Sequence, residues 1–306
     1  MAGAEMRDIK RRIRAIGNIR QTTKAMELVA STKMRKARVL LGKTRPYSHT
    51  IEDVINDIIT HVREDRYRRA EEEFKHDLMD IREVKKTCYI IISADRGLAG
   101  SYNVNVTRKV QSHMNKNKRD EISIIAVGQK TKDYFGRRNY DIKGEFTQIS
   151  ESPTYTDAKN IGKLCMELYS QGLVDEVYLI YTEFLTTISY IPVATRLLPL
   201  EPKKIEERKK SMEGKDKPEV TKFILYEPSA EEILNYLIPK YIESMIFGAL
   251  AEAAACEQSS RRVAMKNATD NAGELIDDLQ LEYHRARQAS ITQEIAEIVS
   301  GTDALS

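Results

Sequence analysis

The stretch best suited to phosphate chemistry follows a β-branched run and contains two glycines. It is SADRGLAGSYN, residues 93–103, and it overlaps the end of the apolar run CYIIISA at residues 88–94. A phosphate loop in this position needs glycine backbone N–H groups in the pattern GxGxxG or GxxxxGK[ST]. Neither pattern occurs here. We therefore expect Gly97 and Gly100 to form a tight turn between a strand and a helix, not a nucleotide site.

Other residue types that carry chemistry are scattered along the chain. None of the five histidines has a cysteine or carboxylate partner at metal-ligand spacing, so we expect them to be solvated, and no GxSxG pattern occurs. The three cysteines show no CxxC pair, which predicts reduced, partly buried thiols and neither a disulfide frame nor a zinc site: Cys88, Cys165 and Cys256. We expect no catalytic residue, no metal and no cofactor in this chain.

One polar segment near the C-terminus, ARQASITQE at residues 286–294, is open to two interpretations. It is either an exposed, frayed helix end or a hydrogen-bonding contact with a surrounding protein. Its candidate contact residues are Arg287, Gln288 and Thr292.

Two long helices are predicted at the ends of the chain, and the second of them contains this polar segment. At the N-terminus, apolar or small residues recur every three or four positions along one stripe: Ile9, Ile13, Ile16, Ile19, Thr23, Met26, Ala30, Met34, Ala37 and Leu41. The second helical pattern runs from Ser229 to Ser300, with an S-x-x-E capping box at its start and Gly301 as its stop. Its apolar side is rich in small residues and includes Leu275. Helices this long bury their stripes most simply against each other, which predicts an antiparallel coiled coil.

The middle of the chain changes period. Buried β-branched runs alternate with helical patterns, and this predicts a Rossmann-like α/β domain with a partly parallel sheet. The expected domains are a coiled-coil helix at 1–60, a charged connector at 61–86, an α/β domain at 87–228 and a second coiled-coil helix with its tip at 229–306. Residues 201–219 form a charged loop within the α/β domain, and residues 222–227 form its last strand.

The charge distribution suggests an acidic partner. Residues 1–45 carry thirteen Lys and Arg residues but only three acidic ones, against a net charge of +3 for the whole chain. This excess supports one alternative function, a basic coiled-coil protein that binds nucleic acid. No aromatic platform or groove-reading pattern accompanies the basic residues, which argues against it. A further alternative is a Rossmann-like enzyme with helical arms. Such an enzyme would need a phosphate loop, and the absence of that pattern from the sequence argues against it.

The two ends and the centre of the chain resemble one known family. The segments are MAGAEMRDIKRRIRAIGNIRQTTKAMELVASTKMRKA, SADRGLAGSYN and VAMKNATDNAGELIDDLQLEYHRARQASITQEIAEIVSG. They resemble the γ subunit of the F-type ATP synthase, in its bacterial form. The resemblance implies a non-catalytic rotor shaft that couples rotation of a membrane c-ring to ATP synthesis or hydrolysis in an α3β3 hexamer.

The resemblance also implies partners and contact residues. The partners are the α and β subunits, the ε subunit and the c-ring, without nucleic acid, and with contact to the membrane only through the c-ring. The location is the cytoplasmic face of the plasma membrane, as a peripheral protein. Contacts with β are expected at Met26, Lys33, Arg35, Lys36, Arg287, Gln288 and Thr292. Ile295, Ile298 and Val299 form an apolar bearing in the hexamer, and Arg45, Pro46, Tyr47 and the 201–219 loop lie near the c-ring and ε.

The second helix is expected to exceed the first by about a dozen residues, so that the segment from Arg287 onward has no helical partner and forms the tip.

Overall fold

A computed structural model describes residues 2–69, 76–117, 121–186, 189–200, 227 and 229–303. The chain forms two compact units. Unit 1 comprises Met1–Thr32 and Arg261–Ser306, and unit 2 comprises Lys33–Ser260. The predicted domains follow the boundaries of elements, whereas these units divide each long helix between them.

Two long helices are present, and both are longer than predicted. Helix α1 spans Ala2–Arg69 and helix α5 spans Ala230–Asp303, with 68 and 74 residues. The predicted connector is therefore helical in its first part, because its Arg- and Glu-rich sequence favours helix and contains no breaker. Gly301 does not stop α5. The two helices differ by far less than a dozen residues.

Two prolines lie inside these helices. Pro46 is within α1 and Pro239 within α5. A proline removes one backbone hydrogen bond, but buried contacts on the following turns can outweigh that loss. After Pro46, α1 buries Ile51, Ile55 and Ile58. The predicted cap at the start of α5 is confirmed, since the Glu232 N–H donates to Ser229 Oγ at 3.2 Å.

Unit 2 contains the α/β fold that the sequence predicts. A short 3-10 helix at Asp77–Met79 lies within the predicted connector and precedes the first strand. The strands are β1 (Lys86–Ile92), β2 (Glu121–Val127), β3 (Asp141–Phe146), β4 (Glu176–Phe184) and β5 (Tyr190–Leu198). The helices between them are α2 (Tyr102–Asn117), α3 (Gln129–Gly136) and α4 (Tyr155–Ser170).

The five strands form one mixed sheet in the order β3-β2-β1-β4-β5. Strand β1 pairs in parallel with both β2 and β4, while β5 runs antiparallel to β4. This confirms the partly parallel α/β domain. The 201–219 loop and most of the strand predicted at 222–227 lie outside the described residues.

The sheet is covered on both faces, which explains why β1 is buried from Thr87 to Ile92. One core contains Cys88 and Ile90 with residues of α4, α5 and the Ile51–Ile59 part of α1. The other contains Tyr89 and Ile91 with residues of α2, α3 and the middle of α1 and α5. The two long helices are thus part of the core of unit 2.

In unit 1, α1 and α5 form an antiparallel pair. The Thr23 and Thr269 hydroxyls are 2.8 Å apart. One turn farther along α5, Gly273 lies beside the guanidinium of Arg20, one turn back on α1. The contacts advance along one helix as they recede along the other, which confirms the antiparallel coiled coil.

Two side chains predicted on the facing stripes are exposed instead. Ile19 is 55% exposed and Leu275 is 52% exposed. A pair of helices buries one narrow stripe on each, and the 3.6-residue period carries some apolar positions away from it. These two positions lie at nearly the same level of the antiparallel pair.

Candidate functional site

In the loop that follows β1, the Asp95 side chain forms hydrogen bonds to neighbouring loops. The Asp95 carboxylate accepts from the backbone N–H groups of Gln129 at 3.1 Å, Gln148 at 2.9 Å and Ser150 at 3.0 Å. One carboxylate thereby joins the loops after β1, β2 and β3. Three backbone N–H groups at this edge of the sheet are therefore bound to Asp95.

The predicted glycine turn is present, but a different residue supplies part of it. Gly100 has a φ of 55° and Leu98 a φ of 60°, whereas Gly97 is not among the residues with positive φ. Leu98 was not expected in the left-handed region, which few residues other than glycine adopt.

Two histidines have structural roles instead of being solvated as expected. His76 Nδ1 accepts from the Leu78 N–H at 3.1 Å and caps the 3-10 helix, and burial lowers its pKa. His113 packs against the rings of both Tyr89 and Tyr178 and lies 3.3 Å from the Tyr89 hydroxyl. In the part of the chain that the structure describes, no three His, Cys, Asp or Glu side chains are grouped closely enough to hold a metal ion.

Met26 lies half-buried on the facing stripe of α1 in unit 1. The next stripe residues on either side are Thr23, which contacts Thr269, and Ala30, which is fully buried. A partner protein could therefore touch only part of the Met26 side chain.

The predicted basic patch is divided by an internal ion pair. Lys33 Nζ lies 2.5 Å from Glu151 Oε2, in the loop between β3 and α4. Arg35 and Lys36 are exposed. Val39, one turn farther along α1, is exposed as well, so the cations adjoin an apolar side chain.

The polar segment of α5 has distinct faces. Arg287, Gln288 and Thr292 are all exposed. Gln288 and Thr292 are one turn apart, and the Thr292 hydroxyl donates to the Gln288 carbonyl at 3.0 Å. The face beside them carries Arg287, Ile291 and Ile295 at four-residue spacing, and Ile295 is 56% exposed. The helical backbone continues through Ile298 and Val299, whose side chains lie outside the described residues.

The unpaired tip of α5 begins later than predicted. Extending the register of the helix pair residue for residue places the start of α1 opposite about position 290 of α5. Ser290 is buried, whereas the described residues that follow it are exposed. Arg287 and Gln288 therefore lie beside the first turn of α1. The tip, defined here as residues 291–303, contains Thr292 and Ile295.

The residues predicted near the c-ring differ in their surroundings. Pro46 and Tyr47 are exposed on α1. The Arg45 guanidinium instead turns to Glu252 of α5 and to the Phe184 carbonyl, each at 3.1 Å. The 201–219 loop, their predicted neighbour, lies outside the described residues.

Sequence reasoning missed several exposed apolar side chains in unit 1. They are Leu28, Val29, Val263 and Leu281, in addition to Ile19 and Leu275. Their exposure could have been predicted from the sequence, because these residues lie off the single stripe that each helix can bury. Among the described residues, unit 2 exposes large apolar side chains as well, but unit 1 has more of them relative to its length. A contiguous exposed apolar surface is typical of a protein–protein interface.

No helix among the described residues is long and apolar enough to cross a bilayer.

Comparison with known proteins gives one consistent result. Residues 5–305 match the ATP synthase family. The chain is 55% identical to the ATP synthase gamma chain of Alkaliphilus metalliredigens over 99% of both sequences. It is 43% identical to the sodium ion specific ATP synthase gamma chain of Acetobacterium woodii over 98% of both.

Solved structures show the same likeness. The central stalk and c-ring structure of the Tetrahymena thermophila mitochondrial ATP synthase contains a chain of 26% identity, with a TM-score of 0.58 and coverage of 81% of this chain and 99% of that one. A rotor chain of the Euglena gracilis enzyme, at 18% identity and a TM-score of 0.62, covers 94% of this chain and 99% of that one and supports the fold. None of these matches favours the nucleic-acid alternative.

Proposed function

This chain belongs to the family of ATP synthase gamma chains, and we propose that it is the non-catalytic shaft of the central rotor. The shaft couples ion-driven rotation of a membrane ring to ATP synthesis or hydrolysis in a surrounding hexamer. The observation that carries this proposal is the antiparallel pair of unit 1, whose exposed apolar side chains an enclosing partner would cover.

The hydrogen bonds of Asp95 support a non-catalytic role. Its carboxylate accepts from three backbone N–H groups and thereby holds the neighbouring loops together. ATP chemistry then belongs to other subunits, and this chain contributes movement alone.

The α and β subunits are the proposed partners of the helix pair. Arg35 and Lys36 offer exposed cations to an acidic lever on β, and Lys33 can join them when it leaves Glu151. Charges placed in this way set register and encounter rate more than affinity. Met26 provides a partly exposed apolar contact in the same region of α1.

At the far end of α5, the proposed contacts separate into two kinds. Gln288 and Thr292 form a hydrogen-bonding face for a β loop, with Arg287 as its cation. Ile295 turns in an apolar sleeve of the hexamer, and we assign Ile298 and Val299 to the same bearing. An apolar bearing suits rotation because it makes no directional bond that must break at each step.

The opposite contact is proposed to involve ε and the c-ring, near Arg45, Pro46 and Tyr47. The chain then reaches the membrane only through the ring, as a peripheral protein on the cytoplasmic face. Exposed Pro46 and Tyr47 can touch a partner directly, while Arg45 contributes through the part of its side chain that Glu252 leaves exposed.

Reconstitution tests the proposal. The α and β subunits are assembled with and without this chain, and ATP hydrolysis, subunit stoichiometry and nucleic-acid content are measured. We expect a 3:3:1 complex with this chain at its centre and no ATPase activity from the chain alone. Recovery of the chain with DNA or RNA and without α and β would overturn the proposal.

A further inference from the structure

A closed set of hydrogen bonds in unit 2 joins three elements at one point. Arg45 of α1 donates from Nη2 to Glu252 Oε1 at 3.1 Å and to the Phe184 carbonyl at 3.1 Å. Glu252 of α5 accepts at its other oxygen from the Phe184 N–H at 3.1 Å. Phe184 is the last residue of β4, so both of its backbone groups are held by side chains from the two long helices.

Burial of the Glu252 carboxylate costs free energy. The residue is only 9% exposed. Burial raises its pKa, and the Phe184 N–H and the Arg45 guanidinium offset that effect only in part. The Arg45 side chain is 46% exposed, and an ion pair with one buried and one exposed partner adds little net stability. Stability alone therefore gives a weak reason for a carboxylate at this position.

The location of the cluster gives a stronger reason. The neighbouring turns of α5 are already bound to the α/β fold: Cys256 Sγ contacts the Thr182 carbonyl at 3.5 Å, and Ser260 Oγ donates to the Ala99 carbonyl at 2.7 Å. On α1, Lys33 forms an ion pair with Glu151 of the α/β fold, and Arg45 donates a hydrogen bond to the Phe184 carbonyl. Both cations are partly exposed, and exposed ion pairs hold weakly. Arg45 differs because it also donates to a backbone carbonyl and because its partner Glu252 is buried.

We propose that Glu252 is a positioning residue of the rotor, which together with Arg45 and Phe184 makes α1 and α5 turn with the sheet as one body. This inference rests on the proposed shaft function. Torque that enters through the α/β fold must reach both helices. Apolar packing in the two cores of unit 2 holds α1 against the sheet. The cluster of Arg45, Glu252 and Phe184 adds directional hydrogen bonds that fix the position of α1 along β4 and α5 while that torque is transmitted.

The test uses the complete ATP synthase carrying Glu252→Gln, with single-molecule rotation measured under increasing viscous load. Glutamine keeps the size of the side chain but loses the charge that holds Arg45. We expect assembly and unloaded hydrolysis to match the unmodified complex. The ratio of ions pumped to ATP hydrolysed, and the load at which rotation stalls, should fall about twofold or more.

Two further variants distinguish a positioning role of the cluster from a general loss of folding. Arg45→Lys keeps a cation but loses the fork that reaches Glu252 and Phe184 together, so it should reduce the stall load per assembled complex in the same way. Glu167→Gln is the matched control, because it breaks an exposed ion pair with Lys163 inside the single helix α4. The control should behave as the unmodified complex.

The outcomes distinguish this inference from the function on which it rests. If the unmodified complex rotates and Glu252→Gln and Arg45→Lys both stall at its load, the positioning role is wrong while the shaft remains. If the unmodified complex hydrolyses ATP without rotation of this chain, the shaft function itself fails, and the positioning role fails with it.

Discussion

Asp95 illustrates how a residue at a typical ligand-binding position can serve structure instead. It follows β1 at the carboxyl edge of the parallel strands, where α/β proteins commonly bind ligands. Its carboxylate accepts three backbone hydrogen bonds from the loops around it. The missing glycine pattern in the sequence predicted that no nucleotide binds here. No sequence signal indicated that the Asp95 carboxylate accepts backbone hydrogen bonds from these loops.

Replacing Asp95 with asparagine should destabilise unit 2 by about 1–3 kcal/mol, because the amide keeps one acceptor oxygen for Gln129 and Gln148 but presents a donor to the Ser150 N–H. Urea unfolding of the isolated chain measures the change. Asp270→Asn is the control at an exposed position of α5. A loss no greater than that of the control would mean that the three hydrogen bonds contribute little.

The three thiols should be unreactive in the folded chain. Cys88, Cys165 and Cys256 are all buried, and burial raises the pKa of the Cys88 thiol to about 12. Since the thiolate is the reactive form, a disulfide reagent at pH 8 should label none of them until denaturant is added. Rapid labelling of the native chain would contradict the burial of these residues.

Met26 should be more important for coupling than for folding. Met26→Lys places a charge on a half-buried stripe position, which should cost about 1–2 kcal/mol in stability. In the assembled enzyme, we expect ion pumping to fall further than ATP hydrolysis, while Met26→Leu retains both. The measurement is pumping and hydrolysis per assembled complex. Parallel loss of both activities together with lost assembly would leave Met26 with a packing role alone.

At the scale of elements, periodicity predicted most of the architecture. The strands agree with the structure because burial on both faces favours continuous β-branched runs, and the helix pair agrees because a buried helical stripe imposes a period of 3.6. Helix ends were less predictable: α1 continues to Arg69 through a charged segment that has no stop signal. The exposed Ile19 and Leu275 show that a stripe in the sequence is wider than the seam that two helices share.

The candidate site was only partly predictable for the same physical reason. The exposed Arg287, Gln288 and Thr292 could be found as a polar end on an otherwise apolar pattern. The engagement of Lys33 by Glu151 joins residues 118 positions apart. Such a contact depends on how the elements pack together, which local patterns do not specify.

The contact among α1, β4 and α5 should give a characteristic pH dependence. The pKa of Glu252 is raised from 4.5 by burial, which outweighs the Phe184 N–H and Arg45 and is reinforced by Glu183. The folded chain thus holds this proton to a higher pH than the unfolded chain does. The resulting stability is fully present below about pH 4.5 and is lost as the pH rises through the folded pKa.

Urea unfolding of the unmodified chain and of Glu252→Gln, compared from pH 4 to pH 7, isolates this contribution. The stability of the unmodified chain relative to the variant should decline as the pH rises and then level off. A relative stability that increases with pH would mean that Arg45 dominates and that the pKa is lowered.

At the scale of the whole molecule, each long helix belongs to two compact units. In unit 2 the helices are part of an α/β core, and in unit 1 they are paired with each other. The same two helices, of 68 and 74 residues, therefore supply residues to both units.

The most direct test of the shaft function is rotation of this chain within an immobilised hexamer. Arg108→Cys on α2 supplies an exposed thiol for a bead, while the three native thiols are buried. With ATP, we predict sustained rotation of the bead in one direction at a rate that follows hydrolysis. A bead that stays stationary while the same complex hydrolyses ATP at its normal rate would contradict the account.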